Sequence, residues 1–131
     1  MQESVFTRII KGELPAHKVY ENDGAIAIMD IHPMQPGHVV VIAKKQAPHF
    51  EDLSPLEYQQ FTKAVKDVAK KLRTVFPDKR KIAVQIEGLQ VEHAHANLFP
   101  FDTHEQYQSP NDQAEPNHDE LARIAEKLKN A

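Results

Sequence analysis

The run His38-Val39-Val40-Val41-Ile42-Ala43 constrains this chain most. Its β-branched residues favour an extended backbone. Its near-continuous apolar character demands cover on both faces, or a central place in a sheet. It leaves a loop, residues 30–37, that Pro33 and Pro36 stiffen and Gly37 releases. Two strands are predicted before it, at residues 17–21 and 25–29, joined by an Asn22-Asp23-Gly24 turn. A fourth, over residues 80–87, carries Ile82, Val84 and Ile86 on one face, and Gly88 turns the chain back into a fifth over residues 91–100. Tight turns at 22–24 and near 88–90 imply antiparallel pairing.

The helices are equally marked. Ser54-Pro55-Leu56-Glu57 is an N-cap serine, a proline at the first helical position and a glutamate three after the cap. Leu56, Phe61, Val65, Val68, Leu72 and Val75 then recur at mostly three- and four-residue spacing, one face of a helix of about five turns. Ser4 caps a short helix bearing Val5, Phe6, Ile9 and Ile10, with Gly12 as its stop. Asn117 and Glu120 form a second capping box before Leu121, Ile124, Ala125 and Leu128. The expectation is one α+β domain over residues 1–131, with a five-stranded antiparallel sheet, one long helix and short N- and C-terminal helices. The helices are expected on one side of the sheet. After about residue 101 the chain should form a polar loop and then the terminal helix.

Composition narrows the function classes. A chain of 131 residues suits one core, and a net charge of -3 provides no basic field, so nucleic acid is not an expected partner. The absence of cysteine removes disulfides, thiolate catalysis and cysteine zinc sites. The first residues lack a secretory pattern, and no apolar run approaches the ~20 residues of a membrane span. A cytoplasmic location without a membrane partner is therefore expected. Eight histidines are present, and the question is whether they converge.

The best place for convergence is Val91-Glu92-His93-Ala94-His95-Ala96-Asn97-Leu98-Phe99-Pro100. On a strand, His93, His95 and Asn97 share one face and Ala94, Ala96 and Leu98 the other. Neighbours on one face lie ~6–7 Å apart, so the two imidazoles cannot bond each other but can address one phosphate or carbonyl. If the strand beginning at His38 lies close, a third imidazole joins them. Three readings stand on spacing alone: a polar sheet face, a zinc site drawing on His38, His93 and His95, and phosphoryl or nucleotidyl transfer with a histidine nucleophile.

Residues 88–100 also resemble the histidine triad (HIT) family motif, His-x-His-x-His followed by two apolar residues. The likeness extends to Val5-Phe6-Thr7-Arg8-Ile9-Ile10-Lys11-Gly12-Glu13-Leu14-Pro15, to Val19-Tyr20-Glu21-Asn22-Asp23, to Met29-Asp30-Ile31-His32-Pro33 and to Pro36-Gly37-His38-Val39-Val40-Val41-Ile42 with Lys44-Lys45, in family order. It implies a nucleotide-binding hydrolase or nucleotidyl transferase acting on a nucleoside phosphoramidate or a (di)nucleoside polyphosphate, with a purine nucleoside phosphate as partner. It also implies a homodimer, and a mechanism needing neither metal nor organic cofactor. By the same resemblance His95 is the nucleophile, the His93 carbonyl orients its ring, and His38 completes the cluster. Val5, Phe6, Ile9, Ile28 and Ile31 line the base and sugar pocket, Asp30 binds the ribose hydroxyls, and Gln90 stands near the leaving group. From pattern alone the apolar members of that set are core residues and Asp30 is a turn cap.

Two departures matter. Asn97 stands where the third motif histidine is expected. An amide can donate a hydrogen bond but cannot shuttle a proton, and loss of a general acid slows a reaction by ~10²–10⁴-fold where nothing replaces it. Nucleotidyl transfer, or binding with weak turnover, gains weight accordingly. The segment Glu87-Gly88-Leu89-Gln90 is also shorter than the family's loop, so one phosphate contact has no counterpart.

Overall fold

The computed structural model describes residues 2–131. Its elements are α1 (Val5–Ile10), β1 (Lys18–Glu21), β2 (Ala25–Met29), β3 (Val39–Ala43), a 3-10 turn (Phe50–Asp52), α2 (Pro55–Val75), β4 (Lys81–Gln85), β5 (His95–Phe101), α3 (His104–Tyr107) and α4 (His118–Lys129). The strands form one sheet in the order β1-β2-β3-β5-β4, and every neighbouring pair is antiparallel. This is the expected α+β fold, with β3 at the centre and all five of its residues buried.

Alternation along the central strands divides the interior into two layers. Ala25, Ala27 and Met29 of β2, Val39, Val41 and Ala43 of β3, and Ala96 and Leu98 of β5 face one side. There they meet Phe61, Ala64, Val68 and Leu72 of α2 and Leu121, Ile124, Ala125 and Leu128 of α4. Full burial of one such leucine or phenylalanine side chain stabilises by about 1.5–3 kcal/mol. The α2 capping box forms as expected: Ser54 Oγ accepts from Glu57 N–H, and Glu57 Oε1 accepts from Ser54 N–H. Leu56, which the spacing places on the core face, sits in the first turn and is 62% exposed.

The opposite layer corrects the one-sided arrangement. Ile26, Ile28, Val40 and Ile42 point away from α2, and α1 covers them with Phe6, Ile9 and Ile10. Because β2 and β3 are apolar on both faces, a second cover is required, and α1 supplies part of it.

Two further differences shape the site. Strand β5 begins at His95, not at residue 91, and residues 86–94 form a loop, not a tight hairpin turn. Within it His93 N–H bonds the Val91 carbonyl at 2.8 Å, which folds the backbone tightly just before the strand. The polar segment after residue 101 contains α3 and is stitched back onto the 32–35 loop. Asn111 Nδ2 donates to the His32 carbonyl (2.7 Å), Asp112 N–H to the Pro33 carbonyl (3.0 Å) and Ser109 Oγ to the Met34 carbonyl (2.9 Å).

Candidate functional site

Register builds the site. Ile26, Ile42 and His95 are cross-strand partners in one row, and Ile28, Val40, Asn97 and Gln85 in the next. An apolar floor therefore runs across β2 and β3 and ends on β5 in an imidazole and an amide. His93 does not belong to this face. It lies ahead of β5, fully buried, and the expected row of three is a row of two with a histidine behind it.

The hydrogen bonds fix what each ring can do. His95 Nδ1–H donates to the His93 carbonyl at 2.6 Å. A carbonyl only accepts, so Nδ1 holds the proton and Nε2 presents its lone pair. Nε2 has no hydrogen-bond partner among the described residues, and no buried side-chain polar atom is left unpaired, so Nε2 is open to the cavity. His93 Nε2–H donates to the Ala43 carbonyl at 2.6 Å, and its Nδ1 faces Ser4 Oγ at 2.6 Å. His38 Nδ1 accepts from Met34 N–H at 3.0 Å, which leaves Nε2–H to donate to Asn97 Oδ1 at 2.9 Å. With its oxygen turned to His38, Asn97 keeps its NH₂ group for the cavity.

Burial pulls the pKa of His38 below the ordinary histidine value, against the raising influence of Asp30, whose Oδ2 lies 3.6 Å from Nε2, and of Asn97. Burial likewise lowers His93, opposed by its bond to the Ala43 carbonyl and reinforced by His95. Both are neutral imidazoles at pH 7. The loop residue Gly37 has φ +91°, and a Cβ there would meet the Phe76 ring at 2.7 Å, so only glycine delivers the chain to His38 in this path. The zinc reading fits poorly, since both ring nitrogens of His38 and of His93 are engaged. Among the described residues no group of three or more His, Asp or Glu side chains is arranged to hold a metal ion.

In front of His95 and Asn97 lies a cavity of about 410 Å³. Phe6, Ile9, Ile28, Asp30, Ile31 and Gln90, all singled out in the sequence, line it. Val5 does not, and it is 44% exposed. Phe6 stands edge-on to the His95 ring, with centroids 4.9 Å apart. Asp30 Oδ1 accepts from His32 N–H at 2.8 Å, so the aspartate is a turn cap as well as a wall. Sequence reasoning missed Val40, Asn111 and Glu87. Val40 was hidden in the apolar run, though its register position beside Asn97 follows from strand alternation. Asn111 and Glu87 arrive on loops whose paths no local pattern specifies.

The antiparallel sheet thus sets a histidine, oriented by a backbone carbonyl and open at its other ring nitrogen, in the wall of a cavity with an apolar floor. A model of the HIT domain matches residues 11–104, and the chain belongs to that family. Members are in general nucleotide-binding hydrolases or transferases. An uncharacterized HIT-like protein of Methanocaldococcus jannaschii is 33% identical over 99 residues, 73% of this chain and 77% of that protein. Among solved structures, a HIT-like protein from Bartonella henselae, described as involved in cell-cycle regulation, superposes with a TM-score of 0.82 at 28% identity, covering 98% of this chain and 95% of the other. A hypothetical histidine triad nucleotide-binding protein from Sulfolobus tokodaii shares the fold, with a TM-score of 0.81 at 21% identity over 95% and 89% of the two chains.

Proposed function

We propose that this protein cleaves or transfers a nucleoside phosphoryl group through a covalent intermediate on His95. The observation that carries the reading is the His95 ring itself: Nδ1–H held by the His93 carbonyl and Nε2 open to the cavity. Binding comes first. The apolar floor of Phe6, Ile9, Ile28 and Val40 takes a purine base, and Asp30 at the end of that floor takes the ribose hydroxyls. The α-phosphoryl group then lies against His95 and the Asn97 NH₂ group.

The Nε2 lone pair forms an N–P bond while the bond from phosphorus to the leaving group breaks; the leaving group departs with that electron pair, and an amine leaving group takes up a proton from solvent. The ring becomes a cation, stabilised by the Nδ1–H bond to the His93 carbonyl. Water then attacks phosphorus and gives up a proton to solvent, the N–P bond breaks with its electron pair returning to Nε2, and a nucleoside monophosphate is released from a neutral His95. The other acceptor option is a second alcohol or phosphate in place of water. The cavity lining contains no lysine or arginine but two carboxylates, Asp30 and Glu87. Each additional phosphate charge would lie there uncompensated, so a nucleoside phosphoramidate, with one anionic phosphoryl group, suits the site better than a polyphosphate.

The reading is tested by mixing the protein with adenosine 5′-phosphoramidate or a diadenosine polyphosphate, quenching, and measuring intact mass. A nucleotidyl adduct mapped to residue 95 supports it. Saturable nucleoside binding with neither adduct nor turnover would instead leave a binding protein on this scaffold. Because Asn97 donates without shuttling protons, Asn97→His is expected to speed breakdown of the adduct by about 10–100-fold in single-turnover quench experiments. An unchanged rate would mean that solvent or another group already accepts the proton of the attacking water.

The homodimer belongs to the same proposal. β4 is an edge strand, Val84 on it is 44% exposed, and Ile86 just beyond it is 39% exposed. An apolar edge of this kind favours pairing with a second copy. Light scattering should give twice the chain mass for wild type, and the Val84→Lys, Ile86→Lys double variant should give the monomer mass. A monomeric wild type at tens of micromolar would refute the pairing.

A further inference from the structure

Behind the nucleophile lies a second polar cluster, formed by residues far apart in the chain. Ser4, the N-cap of α1, accepts from Thr7 N–H at 3.0 Å through Oγ. The same Oγ lies 2.6 Å from His93 Nδ1. His93 Nε2–H is already given to the Ala43 carbonyl, so Nδ1 is an acceptor and the Ser4 hydroxyl proton points to it. Gln46 Oε1 holds the assembly, accepting from Ser4 N–H at 2.9 Å and from Thr7 Oγ1 at 2.5 Å, while its Nε2 donates to the Gln2 carbonyl at 2.8 Å. The His93 ring is thereby fixed at both nitrogens, and the carbonyl of that residue receives the His95 Nδ1–H.

We propose that Ser4 is a positioning residue for His95. Its hydroxyl donates to His93, holds that imidazole as the neutral Nε2–H tautomer, and so aims the His93 carbonyl that orients the nucleophile. This rests on the reading of His95 as nucleophile and adds a residue that touches neither substrate nor His95. One serine has two duties here. As an acceptor it caps α1, which carries Phe6 against the His95 ring. As a donor it sets the charge and tautomer of His93. An oxygen that only accepts would face the Nδ1 lone pair, and the ring would answer by taking up a proton there. Small misplacements of a reacting group have large kinetic consequences, about 10²-fold for 1 Å.

The two duties separate by substitution. Ser4→Thr keeps both. Ser4→Asp keeps the cap, since aspartate is as good an N-cap as serine, but it cannot donate and it favours a protonated His93. Ser4→Ala loses both. Two measurements are needed: two-bond ¹H–¹⁵N spectra of the imidazoles in the free protein, and the single-turnover rate of nucleotidyl transfer from adenosine 5′-phosphoramidate as a function of pH. The spectra should show His93 as the Nε2–H tautomer in wild type and Ser4→Thr, and protonated at pH 7 in Ser4→Asp. Ser4→Asp should lose about 10–100-fold in the adduct-forming rate and show a displaced pH profile, with apparent substrate affinity within about 3-fold of wild type. Ser4→Thr should stay within about 3-fold in rate. A Ser4→Asp protein with wild-type rate and an unchanged His93 tautomer would overturn the proposal. Absence of any adduct in wild type would overturn the His95 assignment, and the role of Ser4 with it. Adduct in wild type with an unaffected Ser4→Asp rate would overturn the role of Ser4 alone.

Discussion

Replacing His95 with alanine is expected to abolish the nucleotidyl adduct and to reduce turnover of a nucleoside phosphoramidate by at least about 10³-fold, the usual scale for removing a nucleophile from a working constellation. Binding of the nucleoside should change little, because the apolar floor and Asp30 remain in place. The reason for so large an effect is positional. No other described side chain combines a free basic nitrogen with access to the cavity: the rings of His38 and His93 have both nitrogens committed. Neither can take over without breaking a buried bond. Rapid-quench kinetics and equilibrium titration with the same nucleoside together decide the matter. A His95→Ala protein that keeps within about tenfold of wild-type turnover would refute the nucleophile.

Acid is expected to destabilise the fold well above the range in which carboxylates titrate. His38 and His93 are buried and held neutral, with pKa values lowered by burial in the folded state, whereas in the unfolded chain they protonate near the ordinary histidine value of about 6.5. Between the folded and unfolded values the unfolded chain binds more protons. Stability is therefore fully present above about pH 7 and declines as the pH falls through 6.5. The loss steepens towards a limit of about 1.4 kcal/mol per histidine per pH unit and ends once the folded-state values are reached. His17, whose Nε2 meets His118 Nδ1 at 2.9 Å, is lowered by burial and by that neighbour and acts in the same direction. The depressed carboxylates Glu21, Asp67 and Asp102 add their losses only at lower pH. Urea midpoints at pH 7.5, 6.5 and 5.5 should fall with widening steps. Constant midpoints over that interval would show that His38 and His93 can charge within the fold.

The elements with strong local grammar were readable from the residues. The Ser54-Pro55-Glu57 start of α2, the apolar run of β3 and the Asp23-Gly24 turn each need only a few neighbours to specify them, and each stands where the pattern puts it. The likeness to the HIT motif supplied the family, and strand alternation placed His95 and Asn97 on one face. What escaped was set by distant contacts. His93 was expected beside His95 because the alternation ran through residue 91, but the ladder to β3 ends at the Ile42–His95 pair. Beyond it, bonds from Ala94 N–H to the Ala47 carbonyl and from His93 to Ala43 draw the chain out of the strand. The face that α1 covers could not be known without the sheet order. Asn111 reaches the cavity only because the 109–112 segment bonds to a loop some 75 residues earlier, as in the Ser109–Met34 pair.

Helix α1 has no fully buried residue, yet it carries Phe6 and, at its cap, Ser4. Phe6, Ile9 and Ile10 hold it on the sheet from a partly buried position, along with the bonds to Gln46 and His93. Opening of such a segment has its own free energy, smaller than that of the whole molecule. The geometry around His95 and the rest of the fold are therefore expected to fail separately, α1 opening before the main core of the sheet, α2 and α4. Under rising denaturant or temperature, the proposed turnover should fall before far-ultraviolet circular dichroism does.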